Sequence, residues 1–301
     1  MIFEKNGKKY GYGLSYNDDC VAEENLSFWP NQERATIFQR TQDDYAFGAS
    51  YTKQSANCKG RLKSNKLLLS LAANETDIKE VAEAFLFFKE DIVVYPGEPN
   101  NWLEYSARQL MDSEMKETFL RFIHQFGSDL VDVQPEVEQR VLSDEPVSLI
   151  DFLQGKQGVA VQFLLHYKQF SLHLEEESAG IQQLFRFLGP LIDIMRQGKV
   201  FICDELESHL HPAIIEEIVK DCNGNKTSLA QMIFTTHDTD LLDLDLSRRD
   251  QIWFTELRPD TRSADLYALP ELRNVRKDEN IRKSYISGKY GALLMVSDSL
   301  R

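Results

Sequence analysis

Between Lys199 and Asp238 the chain alternates strand, helix and strand, and both strands stop on residues that carry chemistry. "KVFICDE" is a short apolar run ending in Asp204 and Glu205. "PAIIEEIVKDC" follows as a helix, with Pro212 at its start and Gly224 just past its end, the positions those residues favour. "LAQMIFTTHD" is strand again and ends on Thr235, Thr236, His237 and Asp238. This order implies a parallel pair with a right-handed crossover. In an open parallel sheet the strand C-termini form the edge where ligands bind. The pattern therefore predicts an Asp-Glu pair and a histidine close together on one sheet edge.

Adjacent acids on a strand point to opposite faces, but here the strand ends and the chain turns. One carboxylate can face a metal ion while the other faces a water. That division suits phosphoryl transfer, where Mg²⁺ takes oxygen ligands and keeps several waters. Positioning and charge neutralisation then do most of the catalytic work. Upstream, "EESAGIQ" places Ser178 and Gly180 before a long apolar helix, whose N-terminus attracts phosphate. Each piece alone has a plain structural reading. Strands commonly end in acids, a lone histidine is more often structural, and serine before a helix is commonly a cap. The order and spacing of all of them together carry the argument.

The rest of the chain has a different grammar. Residues 2 to 52 read as an antiparallel β-meander, with a hairpin signal at Asn6-Gly7. "VAEENLSFWP" and "RATIFQRTQ" are further short strands. "DIKEVAEAFLFFKE" is a helix with Ile78, Val81, Ala82, Phe85 and Phe88 on one face. "DIVVYPGEPN" reads as a strand running into a Pro-Gly turn, and "NWLEYSARQLMDSEMKETFLRFIHQFG" as one long helical stretch. Residues 129 to 141 and 159 to 175 return to strand. "ESAGIQQLFRFLGPLIDIMRQGK" carries one continuous apolar face, with a kink expected at Gly189-Pro190. "QIWFTELR" and "SADLYALPEL" supply two late strands. The expected divisions are a β subdomain at 1–65, a helical and mixed insertion at 66–170, and an α/β lobe at 171–301.

Bulk properties narrow the function. The 301 residues are 42% hydrophobic, enough to bury a full core. A net charge of −14 argues against a surface that coats nucleic acid indiscriminately. The run "RNVRKDENIRKSYISGK" is a candidate basic patch, weakened by Asp278 and Glu279, and reads better as a solvated helix. The four cysteines fit no zinc spacing, and Cys203 falls in an apolar strand, as a buried thiol would. No apolar run reaches the roughly 18–20 residues that span a bilayer, and the N-terminus lacks a signal-peptide core. The expected address is cytoplasmic, with no membrane partner.

The series Ser-x-Gly before a helix, strand-Asp-Glu, Ser-x-Leu-His-Pro and strand-Thr-Thr-His resembles the ABC-type ATPase heads of the AAA15/AAA21 group. These are soluble relatives of the Rad50, RecF and OLD ATPases, often found in abortive-infection systems. "KVFICDELESHLHP" is similar to the Walker B strand with its D-loop, "ESAGIQQLF" to the signature motif, and "IFTTHDTDLLD" to the switch-histidine segment. The tail "RKDENIRKSYISGKYGA" resembles the group's ending. The resemblance implies an α/β, P-loop NTPase-like ABC head with an N-terminal meander and a helical insertion. It implies ATP and Mg²⁺ as cofactors. Asp204 would hold Mg²⁺ through water, Glu205 would activate the hydrolytic water, and His237 would contact the γ-phosphate. Ser178 and Gly180 would reach nucleotide held by the opposite protomer of a homodimer, with Ser208 in the D-loop at the interface.

One feature of the group is missing from the sequence. Its phosphate loop, G-x-x-x-x-G-K-[ST], has no counterpart, because "NGKKY", "QGKQG", "RQGKV" and "SGKYG" all lack the Ser/Thr and the upstream glycine. Such a loop cradles the phosphates with backbone N–H groups and neutralises them with its lysine. The first strand and loop of the fold are thus expected to be absent. A truncated fragment, one half of a split ATPase and a binding-only relative all remain open, with a C-terminal portion favoured. The expected function is ATP hydrolysis that gates an effector nuclease or toxin, inactive in the isolated chain. The alternative is a non-catalytic interaction subunit that binds protein or nucleic acid. A nuclease is disfavoured, since no further carboxylates are placed for two metals.

Overall fold

The computed structural model describes residues 1–95, 102–139, 159–208, 210–224, 228–258, 260–273, 275–276 and 279–293. The chain divides into two compact units, Met1–Ile92 and Val93–Arg301. The architecture is mixed α/β with an antiparallel meander at the N-terminus.

In the first unit, β1 (Ile2–Lys5), β2 (Lys8–Tyr16), β3 (Val21–Trp29), β4 (Ala35–Thr41) and β5 (Asp44–Phe47) form a five-stranded sheet in sequence order. Every neighbouring pair is antiparallel. Asn6 and Gly7 take φ of 53° and 72°, the left-handed pair that a tight hairpin turn demands. Helices α1 (Leu68–Glu75) and α2 (Lys79–Leu86) follow. The Glu24 carboxylate accepts the Leu68 and Leu69 N–H groups at 2.6 and 2.8 Å, so a strand residue caps α1. The buried side of α2 consists of Val81, Glu83 and Ala84, continued by Phe87; Ala82 and Phe85 are half-buried. Ile78 and Val81 are buried as expected, whereas Glu83, Ala84 and Phe87 lie deeper than Ala82, Phe85 and Phe88. A π-helical turn over Phe87–Asp91 ends the segment, and the Phe87 ring stacks on Phe3 at 4.1 Å.

The second unit begins within β6 (Ile92–Tyr95), and α3 (Trp102–Leu110) and α4 (Ser113–Gln125) come after it in the chain. The Pro-Gly turn read after Tyr95 lies outside the described residues. The long helix expected through residue 127 is two helices. Asp112 has extended backbone and accepts the Met115 N–H at 2.9 Å, starting a new helix with its own cap. Strands β7 (Leu130–Gln139), β8 (Val159–Tyr167) and β9 (Ser171–His173) form a three-stranded antiparallel sheet.

Helix α5 (Ala179–Gln197) is the axis of this unit. Its middle, from Leu184 through Ile194, is buried on every side except at Arg186. An all-round apolar helix belongs inside a core. Phe185 packs on Phe119 and Phe163 at 4.8 and 5.4 Å, while Phe187 meets Phe201 at 5.4 Å. Pro190 does not split α5, which remains one element. Gly189 lets α3 come close: a Cβ there would stand 2.2 Å from the Ser106 Oγ, which donates to the Phe185 carbonyl at 2.6 Å.

Strand β10 (Val200–Cys203), helix α6 (Pro212–Gly224) and strand β11 (Gln231–Phe234) follow. Strands β10 and β11 pair in parallel, with Cys203 opposite Phe234, and the sheet order is β11-β10-β6. Strands β12 (Trp253–Leu257) and β13 (Ala264–Ala268) form a separate antiparallel hairpin. The basic run near the C-terminus is helical only over α7 (Ile281–Ile286), while Lys277 and Asp278 lie outside the described residues. Among the described residues, no helix is long and apolar enough to cross a membrane.

Candidate active site

Strand β10 ends at Cys203, a buried thiol that burial pushes up to about 12, with the nearby Asp204 and Glu207 charges adding to the effect. Asp204 keeps one sheet contact, its N–H donating to the Tyr95 carbonyl at 3.1 Å. Glu205 then turns left-handed, with φ of 49°, an uncommon state for a residue with a long side chain. This is why the two adjacent acids do not simply alternate faces. The turn closes by hydrogen bonds from the Ser208 N–H to the Glu205 carbonyl at 2.9 Å and from the Ser208 hydroxyl to Glu205 Oε2 at 3.2 Å.

Strand β11 supplies the facing side. Thr235 continues the ladder through its N–H to the Cys203 carbonyl and its carbonyl to the Leu206 N–H. Its hydroxyl donates to Asp204 Oδ1 and accepts the Glu205 N–H at 2.9 Å. Two residues on, His237 Nε2 lies 4.0 Å from Glu205 Oε1. Asp204, Glu205, Ser208 and His237 therefore converge at the C-terminal edge of the parallel pair. Both Glu205 and the imidazole are open to solvent.

Ser178 and Gly180 sit at the start of α5. Ser178 is the cap, its hydroxyl accepting the Ile181 N–H at 3.4 Å. Gln183, one turn on, donates to the Tyr95 hydroxyl at 2.7 Å, so the helix start is tied to the strand whose carbonyl Asp204 meets.

Glu207 was not singled out by sequence. Its Oε1 accepts the His237 N–H at 2.7 Å, and the Thr236 hydroxyl lies beside its carboxylate. Burial alone would push this carboxyl upward; the His237 N–H, the Thr236 hydroxyl, its own N–H and the His237 imidazole together hold it below the usual carboxylate range. Nothing in the spacing Asp-Glu-Leu-Glu distinguishes it, because its partner lies on another strand.

The candidate metal-ligating groups at this edge are mainly oxygens, the Asp204 and Glu205 carboxylates and the Thr235 and Ser208 hydroxyls. Mg²⁺ binds through one or two carboxylates plus waters and phosphate oxygens, and the second Asp204 oxygen suits such a role. Among the described residues no cluster of three or more His, Cys, Asp or Glu side chains could cage a metal. The described Gly-Lys pairs do other work. Gly7, Gly198 and Gly288 are left-handed turn residues, and Lys8, Lys199 and Lys289 pair with Glu83, Asp193 and Glu279. A groove of about 990 Å³ among α4, α5 and α6, floored by Leu188, Ile192 and Ile218, contains none of the candidate residues.

The fold and edge define a mixed α/β domain with acids and an imidazole at the end of a parallel strand pair. Residues 2–244 match the family described as AAA domain, putative AbiEii toxin, Type IV TA system, and the chain belongs to that family. It is thus an AAA-type, ATPase-like domain. Among solved structures it is similar to an Smc head bound to the C-winged helix domain of ScpA, at 13% identity and a TM-score of 0.37, covering 89% of this chain and 76% of that one. It is also similar to the Smc head domain with an extended coiled coil bound to the C-terminal domain of ScpA derived from Pyrococcus furiosus. That match has 12% identity and a TM-score of 0.35, covering 83% and 78% of the two chains. Comparison with curated proteins finds no match.

Proposed function

We propose that the chain carries the hydrolytic edge of an ATPase whose turnover gates an effector, a nuclease or toxin of a defence pair. The observation that supports this reading is the convergence of Asp204, Glu205 and His237 at one sheet edge. Bound Mg²⁺ would supply charge neutralisation on the phosphates. Asp204 would hold it through water, with the Thr235 hydroxyl fixing the carboxylate. Glu205, oriented by Ser208, would accept the proton of the attacking water, and His237 would donate toward the terminal phosphate. Ser178, Gly180 and Ser208 would meet nucleotide and backbone across a homodimer. No stretch of residues 1–301 has the phosphate-loop pattern, so the grip on the triphosphate has to be supplied by other residues.

That last feature favours one second reading, a non-catalytic interaction subunit. Mg²⁺-dependent ATP turnover and fluorescent-nucleotide binding, measured on the whole gene product beside Glu205→Gln, separate the two. The hydrolytic reading expects turnover to fall by about 10²-fold or more in Glu205→Gln while binding persists. A Glu205→Gln protein as fast as wild type removes Glu205 from the role, and a wild type without turnover favours the interaction subunit.

A further inference from the structure

The His237 imidazole is held by nothing of its own. It is 82% exposed, lies 4.0 Å from Glu205, and makes no side-chain hydrogen bond among the described residues. Its placement must therefore come through the main chain. The main chain at this point is anchored by Glu207, whose Oε1 takes the His237 N–H at 2.7 Å. Charge-assisted bonds of this kind are about twice as strong as neutral ones.

Only one oxygen of the anchoring carboxylate is used. Glu207 Oε2 is shut off from solvent with no hydrogen-bond partner. Burying an unsatisfied carboxylate oxygen is unfavourable, and a neutral acceptor such as Gln could take the same N–H without a charge. Glu207 also sits in the same tight turn as Glu205, whose backbone is left-handed. One end of the turn thus carries the Glu205 carboxylate, and the other end grips the backbone of His237.

We propose that Glu207 is a positioning residue that locks His237 to the Glu205 turn, so that the imidazole and the carboxylate move as one body. This deepens, and rests on, the hydrolytic reading above. Glu207 touches neither water nor phosphate in this role. It acts through the His237 backbone.

The test uses the whole gene product as Glu207→Ala, Glu207→Asp and Glu207→Gln, with His237→Ala as reference. Backbone amide exchange at residues 235–238 is followed without nucleotide, and ATP turnover is measured in parallel. In Glu207→Ala and Glu207→Asp, exchange at His237 should accelerate by about tenfold or more, since a local opening no longer has to break the anchor. Glu207→Gln, which keeps an acceptor at the same reach, should exchange within about threefold of wild type. In turnover, Glu207→Ala should lower kcat to near the His237→Ala level with KM unchanged, and Glu207→Gln should recover most of it. If Glu207→Ala does not fold, Glu207→Asp decides, because it withdraws the acceptor by one methylene. Unchanged exchange at His237 overturns the proposal, and so does faster exchange with unchanged kcat. Absent turnover in the wild type sinks the hydrolytic reading instead, and the exchange profile alone then decides whether Glu207 holds the loop.

Discussion

His237 Nε2 stands 4.0 Å from Glu205 Oε1, on a neighbouring strand end, with Thr235 bridging the backbone beneath them. The pair is solvent-facing, which separates its chemistry from its contribution to folding. Replacing His237 by Ala should leave stability within about 0.5 kcal/mol, since surface changes away from packed features cost little. On the hydrolytic reading the same change should lower kcat by about 10²-fold. Urea denaturation and steady-state turnover check the two halves, and a large loss of stability would show the imidazole to be structural.

A buried ion pair in the first unit makes a different prediction. Arg40 and Glu24 are both fully enclosed, 3.6 Å apart, and each also holds backbone. Glu24 caps α1, and Arg40 donates to the carbonyls of Gln42, Lys63, Ser64 and Lys66. Arg40→Ala strands a charge and several carbonyls at once, so a loss of about 3–5 kcal/mol is expected in denaturant unfolding. A loss below about 1 kcal/mol would mean that water or a neighbour replaces the guanidinium.

The crossing of α3 and α5 depends on one missing methyl. A Cβ on Gly189 would meet the Ser106 Cα at 2.7 Å, which is backbone and cannot swing away. Gly189→Ala should destabilise by about 1–3 kcal/mol through overpacking. Adding Ser106→Gly, which removes the hydroxyl contact at 2.2 Å, should recover part of the loss. A fully stable Gly189→Ala would contradict the tight crossing.

Glu279 couples the C-terminal aromatic cluster to pH. Lys289, Ser284, the Arg276 N–H and Tyr290 all donate to it and hold its carboxyl down to about 2, against an ordinary value of 4.5. A depressed carboxyl stabilises the fold fully above its unfolded value. Its contribution should therefore fade as pH drops from 4.5 toward 2. Thermal unfolding followed by circular dichroism should show this slope, and Glu279→Gln should make it shallower. Identical profiles for the two proteins would refute the coupling.

Much of this molecule could be read from local pattern. The Asn6-Gly7 hairpin, the parallel β10 and β11 and the late β12–β13 hairpin all follow from period, turn chemistry and element order. Other features escaped because their causes are distant or subtle. The break between α3 and α4 hangs on a single Asp112 cap inside an unbroken helical period. The burial of Glu83 follows from docking of α2 on the meander, where its carboxylate turns inward to meet the hydroxyl of Tyr10 and the Lys8 ammonium. Pro190 sits inside α5 without ending it, in a stretch enclosed by packing on nearly every side.

The division at the candidate site has the same origin. Residue type and spacing were enough to bring Asp204, Glu205 and His237 to one edge, because strand–helix–strand order leaves the backbone few alternatives. The left-handed Glu205, the Thr235 bridge and the grip of Glu207 on His237 depend on contacts between segments about thirty residues apart. Such contacts exist only after the two strands have paired, so no local pattern encodes them.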